Sequence, residues 1–158
     1  MNLAKAENQA FNESFEEAQN AGAVHRLNQI AEAGDAEAQY ELGKIYLRGS
    51  RDVYQDEELA WRFFQKSAAQ GHIKAAANLL VENASARHNH LAHIPPLEDA
   101  NLEITTPDVR SQLEEEAKSN CPEALHLLGM FSLEGIGEEP DDDRAVTHFK
   151  TAMALGDF

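Results

Sequence analysis

Apolar residues recur along this chain at alternating steps of three and four, the spacing that places them on one face of an α-helix. Ala38 and Leu42 illustrate the step of four within AEAQYELGKIYLRG. Ala and Leu outnumber the β-branched Val and Ile, and no stretch alternates apolar and polar residues as a half-buried strand does. The pattern predicts an all-α fold of about seven helices.

The predicted helices are copies of one two-helix unit. Residues 35–71 form one unit and residues 121–156 form another. Their glycines and apolar residues match in order: Ala38 with Ala124, Leu42 with Leu128, Gly43 with Gly129, Ala60 with Ala145, Phe64 with Phe149, Ala68 with Met153 and Gly71 with Gly156. Because small side chains let two helices approach closely, the matched Gly and Ala residues predict tight pairing within each unit.

A third copy, residues 72–120, lies between these two units. It keeps their apolar positions but has a longer connection between its helices. Pro95, Pro96 and Pro107 lie in or beside that connection, and proline disfavours helix. We therefore expect residues 87–106 to form a loop insertion.

A half copy precedes the complete units. Residues 1–34 are interpreted as an N-terminal cap followed by one helix of the repeat. That helix carries apolar residues at the positions of Ala60, Phe64 and Ala68, namely Ala23, Leu27 and Ala31. The whole chain, residues 1–158, is expected to form a single helical-repeat domain.

Particular residues mark the predicted helix ends. Gly34, Gly71 and Gly156 follow the second helix of three copies, where glycine can take the left-handed conformation that ends a helix. Cys121 occupies the place that Asp35 has in the first unit, so we interpret it as a substitute N-cap. The chain has no other cysteine, which excludes a disulfide within it.

The glycine and aromatic pattern of these units resembles the Sel-one-like repeat family, a relative of the tetratricopeptide repeats. Ser132 and His148 depart from it at two positions that are usually aromatic. The resemblance implies a right-handed α-α superhelix that serves as an adaptor between proteins, without catalytic residues or a cofactor. It rests mainly on Gly43, Tyr46, Gly49, Asp56, Ala60, Phe63, Phe64, Lys66, Ala68 and Gly71, and on Gly129, Gly135, Gly137, Asp141, Ala145, Phe149 and Gly156.

The net charge of the chain limits the classes of partner that we expect. The 158 residues carry a net charge of −15 at pH 7, which disfavours binding to nucleic acids and to anionic membrane surfaces. No apolar run is long enough for a membrane span, and the polar N-terminal sequence lacks the features of a secretory signal. We expect a cytoplasmic protein that binds another protein, one with a basic surface.

The predicted insertion contains three closely spaced histidines, His88, His90 and His93. Imidazoles at this spacing can share Zn²⁺ or Ni²⁺, with Glu98 or Asp99 as a further ligand. The alternative is a polar, solvated loop. A metal hydrolase that uses these histidines is the less favoured function, because the repeats offer no acid and base that converge on a pocket.

An acidic run lies in the connection of the last unit. It can clamp a basic partner or a divalent cation, or it can be a solvated loop whose Asp141 opens a helix as Asp56 does in the first unit. The run consists of Glu138, Glu139, Asp141, Asp142 and Asp143. The alternatives stay open at the level of the sequence.

Arginine and aromatic residues are common anchors of protein interfaces, and several lie in or beside the first unit. Phe63 and Phe64 are predicted core residues, because aromatics at helical spacing usually fill the space between helices. The candidate contacts are Arg48, Arg51, Tyr54 and Trp61.

After Gly156 the sequence stops where the next copy would begin. An uncapped repeat exposes apolar surface and tends to associate. Self-association, a partner that covers the surface, and a truncated chain are the alternatives.

These patterns predict a non-enzymatic interaction scaffold that binds a partner through its superhelical groove and its acidic loops. The alternative is an immunity or inhibitor protein that neutralises a basic bacterial toxin. Negative charge is weighted toward the C-terminal copies, so we expect a cationic partner to contact the last unit.

Overall fold

The structure is a computed structural model that describes residues 22–50, 53–89 and 106–156, with side chains at all of these except 86–89. These residues form helices joined by turns and irregular connections, and no strand occurs among them. The all-α prediction is confirmed. The helices are α1 (22–32), α2 (Ala36–Arg48), α3 (Glu57–Ala68), α4 (Ile73–Asn89), α5 (Thr106–Lys118), α6 (Pro122–Glu134) and α7 (Asp142–Leu155).

The chain divides into two compact units, and the division falls within α3, between Phe63 and Phe64. The single-domain organisation expected from the sequence therefore stays a prediction.

Aspartates begin three of the helices as expected. The side chains of Asp35, Asp56 and Asp141 each accept a hydrogen bond from the backbone N–H three residues later, at 2.7, 2.9 and 2.9 Å. These bonds satisfy N–H groups that the first turn of a helix leaves unpaired. Cys121 lies at the N-cap position of α6, but its side chain makes no capping hydrogen bond, so it replaces Asp35 in position only. At α4 the ring of His72 caps instead, accepting from the backbone of the third residue along at 3.2 Å.

In the first compact unit, α2 packs against α1. Ala31 of α1 is buried together with Ala38 and Leu42 of α2. The side-chain amide of Gln39, itself buried, donates to the Ala31 carbonyl oxygen at 3.0 Å. Partly buried residues surround this cluster: Val24, Leu27, Ile45, Tyr46 and Phe63.

In the second compact unit, α6 contacts α4, α5 and α7. Its Gly129 lies against the ring of Phe149, where a Cβ atom would stand 2.5 Å from the nearest ring carbon. Any larger residue would displace the ring, which confirms the predicted close approach at this glycine. Other buried residues of the unit include Leu79, Val109, Leu113, Leu128, Phe131 and Ala145.

The structure corrects the limits of the predicted insertion, residues 87–106. Helix α4 continues to Asn89, and α5 begins at Thr106, so both ends of the predicted loop are helical. No proline or glycine interrupts the sequence before Pro95, which lets α4 continue. Pro107 fits α5 because the first turn of a helix does not need its missing N–H.

The predicted left-handed helix ends are correct at two of three glycines. Gly34 and Gly71 have φ of 104° and 88°. Gly156 is extended, with φ of −155°, so that prediction was wrong. In the middle copy Asn120 takes the left-handed position with φ of 58°, since asparagine tolerates this conformation better than most residues do.

Candidate functional site

Glu138 organises the connection between α6 and α7. Its carboxylate accepts hydrogen bonds from Arg110 of α5 and from Arg144 of α7, the latter at 2.6 Å. Arg110 also donates to the backbone carbonyl of Ile136 at 3.1 Å and pairs with Glu114 at 3.3 Å. The connection is thus fixed to two helices through one carboxylate.

Burial alone would raise the pKa of Glu138, but hydrogen bonds from Arg144 and Arg110 outweigh it and hold the pKa below its usual value. Glu138 therefore stays ionised at neutral pH, with both oxygens engaged inside the chain. The sequence hypothesis treated Glu138 as a partner contact, whereas the structure uses it to hold the loop.

Asp141 is also used internally, since it caps α7 and lies 3.5 Å from the guanidinium of Arg144. The remaining acids of the run, Glu139, Asp142 and Asp143, are exposed around the start of α7. We call these three residues the acidic edge. They are the members of the predicted clamp whose side chains face solvent.

Apolar residues lie on one side of α7. Val146 is 47% exposed and Met153 is 72% exposed, while Phe149 between them is half-buried. His126 of α6 stands beside Phe149, with ring centroids 5.4 Å apart. We call Val146, Phe149 and Met153 the open face of α7.

The candidate contact residues of the first repeat differ in how far the structure exposes them. Arg48 is exposed in the last turn of α2 and lines a shallow pocket of about 210 Å³. Tyr54 is 95% exposed. Trp61 is only 8% exposed, so its side chain belongs to the core, and its role as a contact stays a prediction. Arg51 lies outside the described residues.

The histidine hypothesis stays a prediction. His88 lies in the last turn of α4, where side chains are not described, and His90 and His93 fall outside the described residues. Within the part of the chain that the structure describes, no three His, Cys, Asp or Glu residues are grouped so that they could hold a metal ion.

Two polar residues of the last unit depart from its otherwise apolar interior. The Ser132 hydroxyl is buried and has no hydrogen-bond partner among the described residues. Burial lowers the pKa of His148, and the positive charges of Arg144 and Arg110 lower it further. The sequence identified both as departures from an aromatic pattern, but it held no signal for Arg110, whose contact with Glu138 spans 28 residues.

None of the helices in the described ranges combines the length and apolar composition that a bilayer crossing requires. The cytoplasmic location stays a prediction.

Comparison with known proteins identifies the repeats. The Sel1 repeat family model matches residues 36–72 and 122–157. The chain contains two Sel1 repeats. These matches cover the first and last units within one residue of the predicted limits, while the middle copy, residues 72–120, stays a prediction. Sel1-repeat proteins generally act as scaffolds for contacts between proteins.

The curated bacterial relatives that match this chain are longer than it is. The Sel1-repeat-containing protein YjcO of Escherichia coli K12 is 26% identical over 135 residues, covering 84% of this chain and 53% of the relative. YjcO of Shigella flexneri matches with the same values. The chain thus spans about half the length of the curated relatives that it matches.

Two solved structures of Sel1-repeat type are also similar. One is a protective antigen of uropathogenic Escherichia coli with an SLR fold, at 25% identity and a TM-score of 0.42 over 85% of this chain and 26% of the antigen. The other is a Sel1 repeat protein from Oxalobacter formigenes, at 27% identity and a TM-score of 0.42 over 85% of this chain and 91% of that one.

Proposed function

We propose that this Sel1-repeat protein is a non-enzymatic scaffold that binds a partner with a basic surface through the acidic edge of its last repeat. The proposal is supported by the different positions of the acids within the acidic run. Glu138 and Asp141 fix the connection, and Glu139, Asp142 and Asp143 stay exposed beside it. A fixed loop presents charge at lower entropic cost than a mobile one.

The charge distribution supports the same surface. Residues 121–158 contain two Lys or Arg and eight Asp or Glu, a net of 2 − 8 = −6, out of −15 for the whole chain. A negative surface of this kind speeds encounter with a cationic partner and weakens with salt. The superhelical groove that the family resemblance implies is a second surface, which this proposal does not require.

A comparative capture experiment tests the proposal. The wild-type chain and a variant with a neutral edge (Glu139→Gln, Asp142→Asn, Asp143→Asn) are immobilised, and proteins captured from a lysate of the source cells are quantified by mass spectrometry. We expect a basic protein whose capture falls about tenfold in the variant and falls again as salt rises, because exposed ion pairs contribute modestly and are screened.

The matched control removes three exposed acids from the other end of the chain, two of which also lie in the first turn of a helix: Glu32→Gln, Glu37→Gln and Glu57→Gln. This control should capture the basic protein as the wild type does. Equal capture by the wild type and the neutral-edge variant would contradict the proposal.

A further inference from the structure

The open face of α7 occupies the same positions in its repeat as a covered face of α1. Both helices are second helices of their units, and the repeat register aligns the two faces residue by residue: Val24 with Val146, Leu27 with Phe149 and Ala31 with Met153. In α1 these residues pack into the cluster formed with α2, and Ala31 is only 3% exposed. The equivalent Met153 is 72% exposed.

The packing of α2 on α1 shows which residues a helix needs in order to cover such a face. A small residue, Ala38, and a leucine one turn later, Leu42, are buried against Ala31. Between them Gln39 donates to the Ala31 carbonyl. The covering helix therefore presents a small residue and a Leu at positions i and i+4 of an apolar stripe.

The second compact unit repeats this arrangement. There α6, the first helix of the last copy, contacts both helices of the preceding pair, α4 and α5. Thus a first helix covers the preceding second helix in each compact unit, and the exposed positions of α7 are those that such a helix would bury.

Charge indicates which helix fits the open face. Because only residues 33–35 join α1 and α2, the packed helices run in opposite directions, and the end of α2 with Arg48 faces the start of α1. A helix docked on α7 in the same way ends beside the acidic edge. Lys or Arg in its last turn would pair with that edge and also suit the negative end of the helix dipole. A second copy of this chain fits less well, since each copy carries a charge of −15.

We infer that the open face of α7 binds an amphipathic helix of another protein, one with a small residue and a Leu four apart on its apolar stripe and with basic residues in its last turn. The inference rests on the proposed function and specifies the form of the partner. It places the apolar contact on Val146, Phe149 and Met153 and the ionic contact on the acidic edge.

The test uses a capped, fluorescein-labelled peptide with the sequence of residues 35–49 in which Glu37→Gln and Glu41→Gln remove negative charge, so that the peptide is basic through Lys44 and Arg48 toward its C-terminal end. Fluorescence anisotropy reports its binding to the whole chain. We expect saturable binding that Met153→Glu weakens about tenfold, because that change places a charge in the apolar contact. A peptide with Leu42→Glu should bind at least about tenfold more weakly for the same reason.

Leu155→Glu is the matched control, because Leu155 is also exposed on α7 but lies two residues, or about 200°, around the helix from Met153. It should leave peptide binding unchanged, and circular dichroism checks that both variants keep the wild-type helix content.

Absence of binding, or an equal loss with Met153→Glu and Leu155→Glu, would overturn the inference. So would light scattering that shows a dimer which Met153→Glu dissociates, since the occupant would then be a second copy. If the peptide fails while capture still depends on the acidic edge, the proposed function stands and the helical docking mode alone is wrong.

Discussion

The first and last Sel1 repeats have the same arrangement of two helices but differ in the side chains at two matched positions. In the first, Tyr46 and Phe63 stack with ring centroids 5.8 Å apart and planes 3° from parallel. In the last, the same positions hold His148 and Ser132, whose buried hydroxyl has no hydrogen-bond partner in the described ranges. The last repeat therefore has no aromatic pair at these two positions.

In both repeats the same backbone hydrogen bond joins the start of the second helix to the first helix. The N–H of Asp56 donates to the Tyr46 carbonyl at 2.9 Å, and the N–H of Asp141 donates to the Ser132 carbonyl at 2.8 Å. In the last repeat the charge network around Glu138 also holds the connection. At these two positions the first repeat has a stacked aromatic pair, whereas the last repeat has a serine and a histidine and adds ion pairs at its connection.

The largest expected difference in stability loss between the two repeats is at their matched phenylalanines, Phe64 and Phe149. Phe64 is 0% exposed and Phe149 is half-buried, so the two truncations to Ala remove different amounts of buried surface. We expect Phe64→Ala to lower the free energy of unfolding by about 3 to 5 kcal/mol and Phe149→Ala by about half as much. Urea unfolding followed by circular dichroism measures both; equal losses would show that the repeats are packed alike.

A smaller effect is expected from the charge network. Arg110→Ala removes the hydrogen bonds to Glu138 and to the Ile136 carbonyl, and we expect it to cost about 1 to 2 kcal/mol in the free energy of unfolding. Arg62→Ala is the control, because Arg62 pairs with Glu58 at the exposed surface and should cost at most about 0.5 kcal/mol. If the two variants lose the same stability in urea unfolding, the network does not hold the last repeat.

The smallest expected effect concerns His148 and pH. Its pKa in the folded chain is lowered by burial and by Arg144 and Arg110, while Glu114 and Glu138 act in the opposite direction. As pH falls, the unfolded chain therefore takes up a proton first, near the ordinary histidine pKa of about 6.5. The His148 contribution to stability is lost progressively from there down through the lowered pKa of the folded chain.

His148→Phe, which restores the residue type of Phe63 in the first repeat, should flatten this part of the profile. Thermal unfolding of wild type and variant between about pH 7.5 and 5.5 measures the difference, and other histidines cancel because both chains carry them. Parallel profiles would contradict the assignment.

Much of the fold follows from local sequence. Helix periodicity, the repeat register and the capping role of Asp56 and Asp141 depend on residues close together in the chain, so they could be predicted. The roles of Glu138 and Trp61 could not. Arg110 approaches Glu138 only after α5 and α6 have packed, and nothing in the local pattern distinguishes the buried Trp61 from an exposed aromatic.

The alternative of an inhibitor that neutralises a basic bacterial toxin stays a prediction, and it would use the same acidic edge. The identity of the protein captured in the comparative experiment distinguishes it from a general adaptor. A nuclease or other cationic toxin lost from the neutral-edge variant would favour the inhibitor.

The position of the docked helix can be measured directly by titrating the ¹⁵N-labelled chain with the basic peptide and following backbone amide shifts. We expect the largest shifts along α7 and its acidic edge, residues 139–153, with the amides of α1 unmoved. Shifts concentrated on α1 and α2, or spread without a centre over the chain, would contradict the conclusion that the last repeat provides the binding surface.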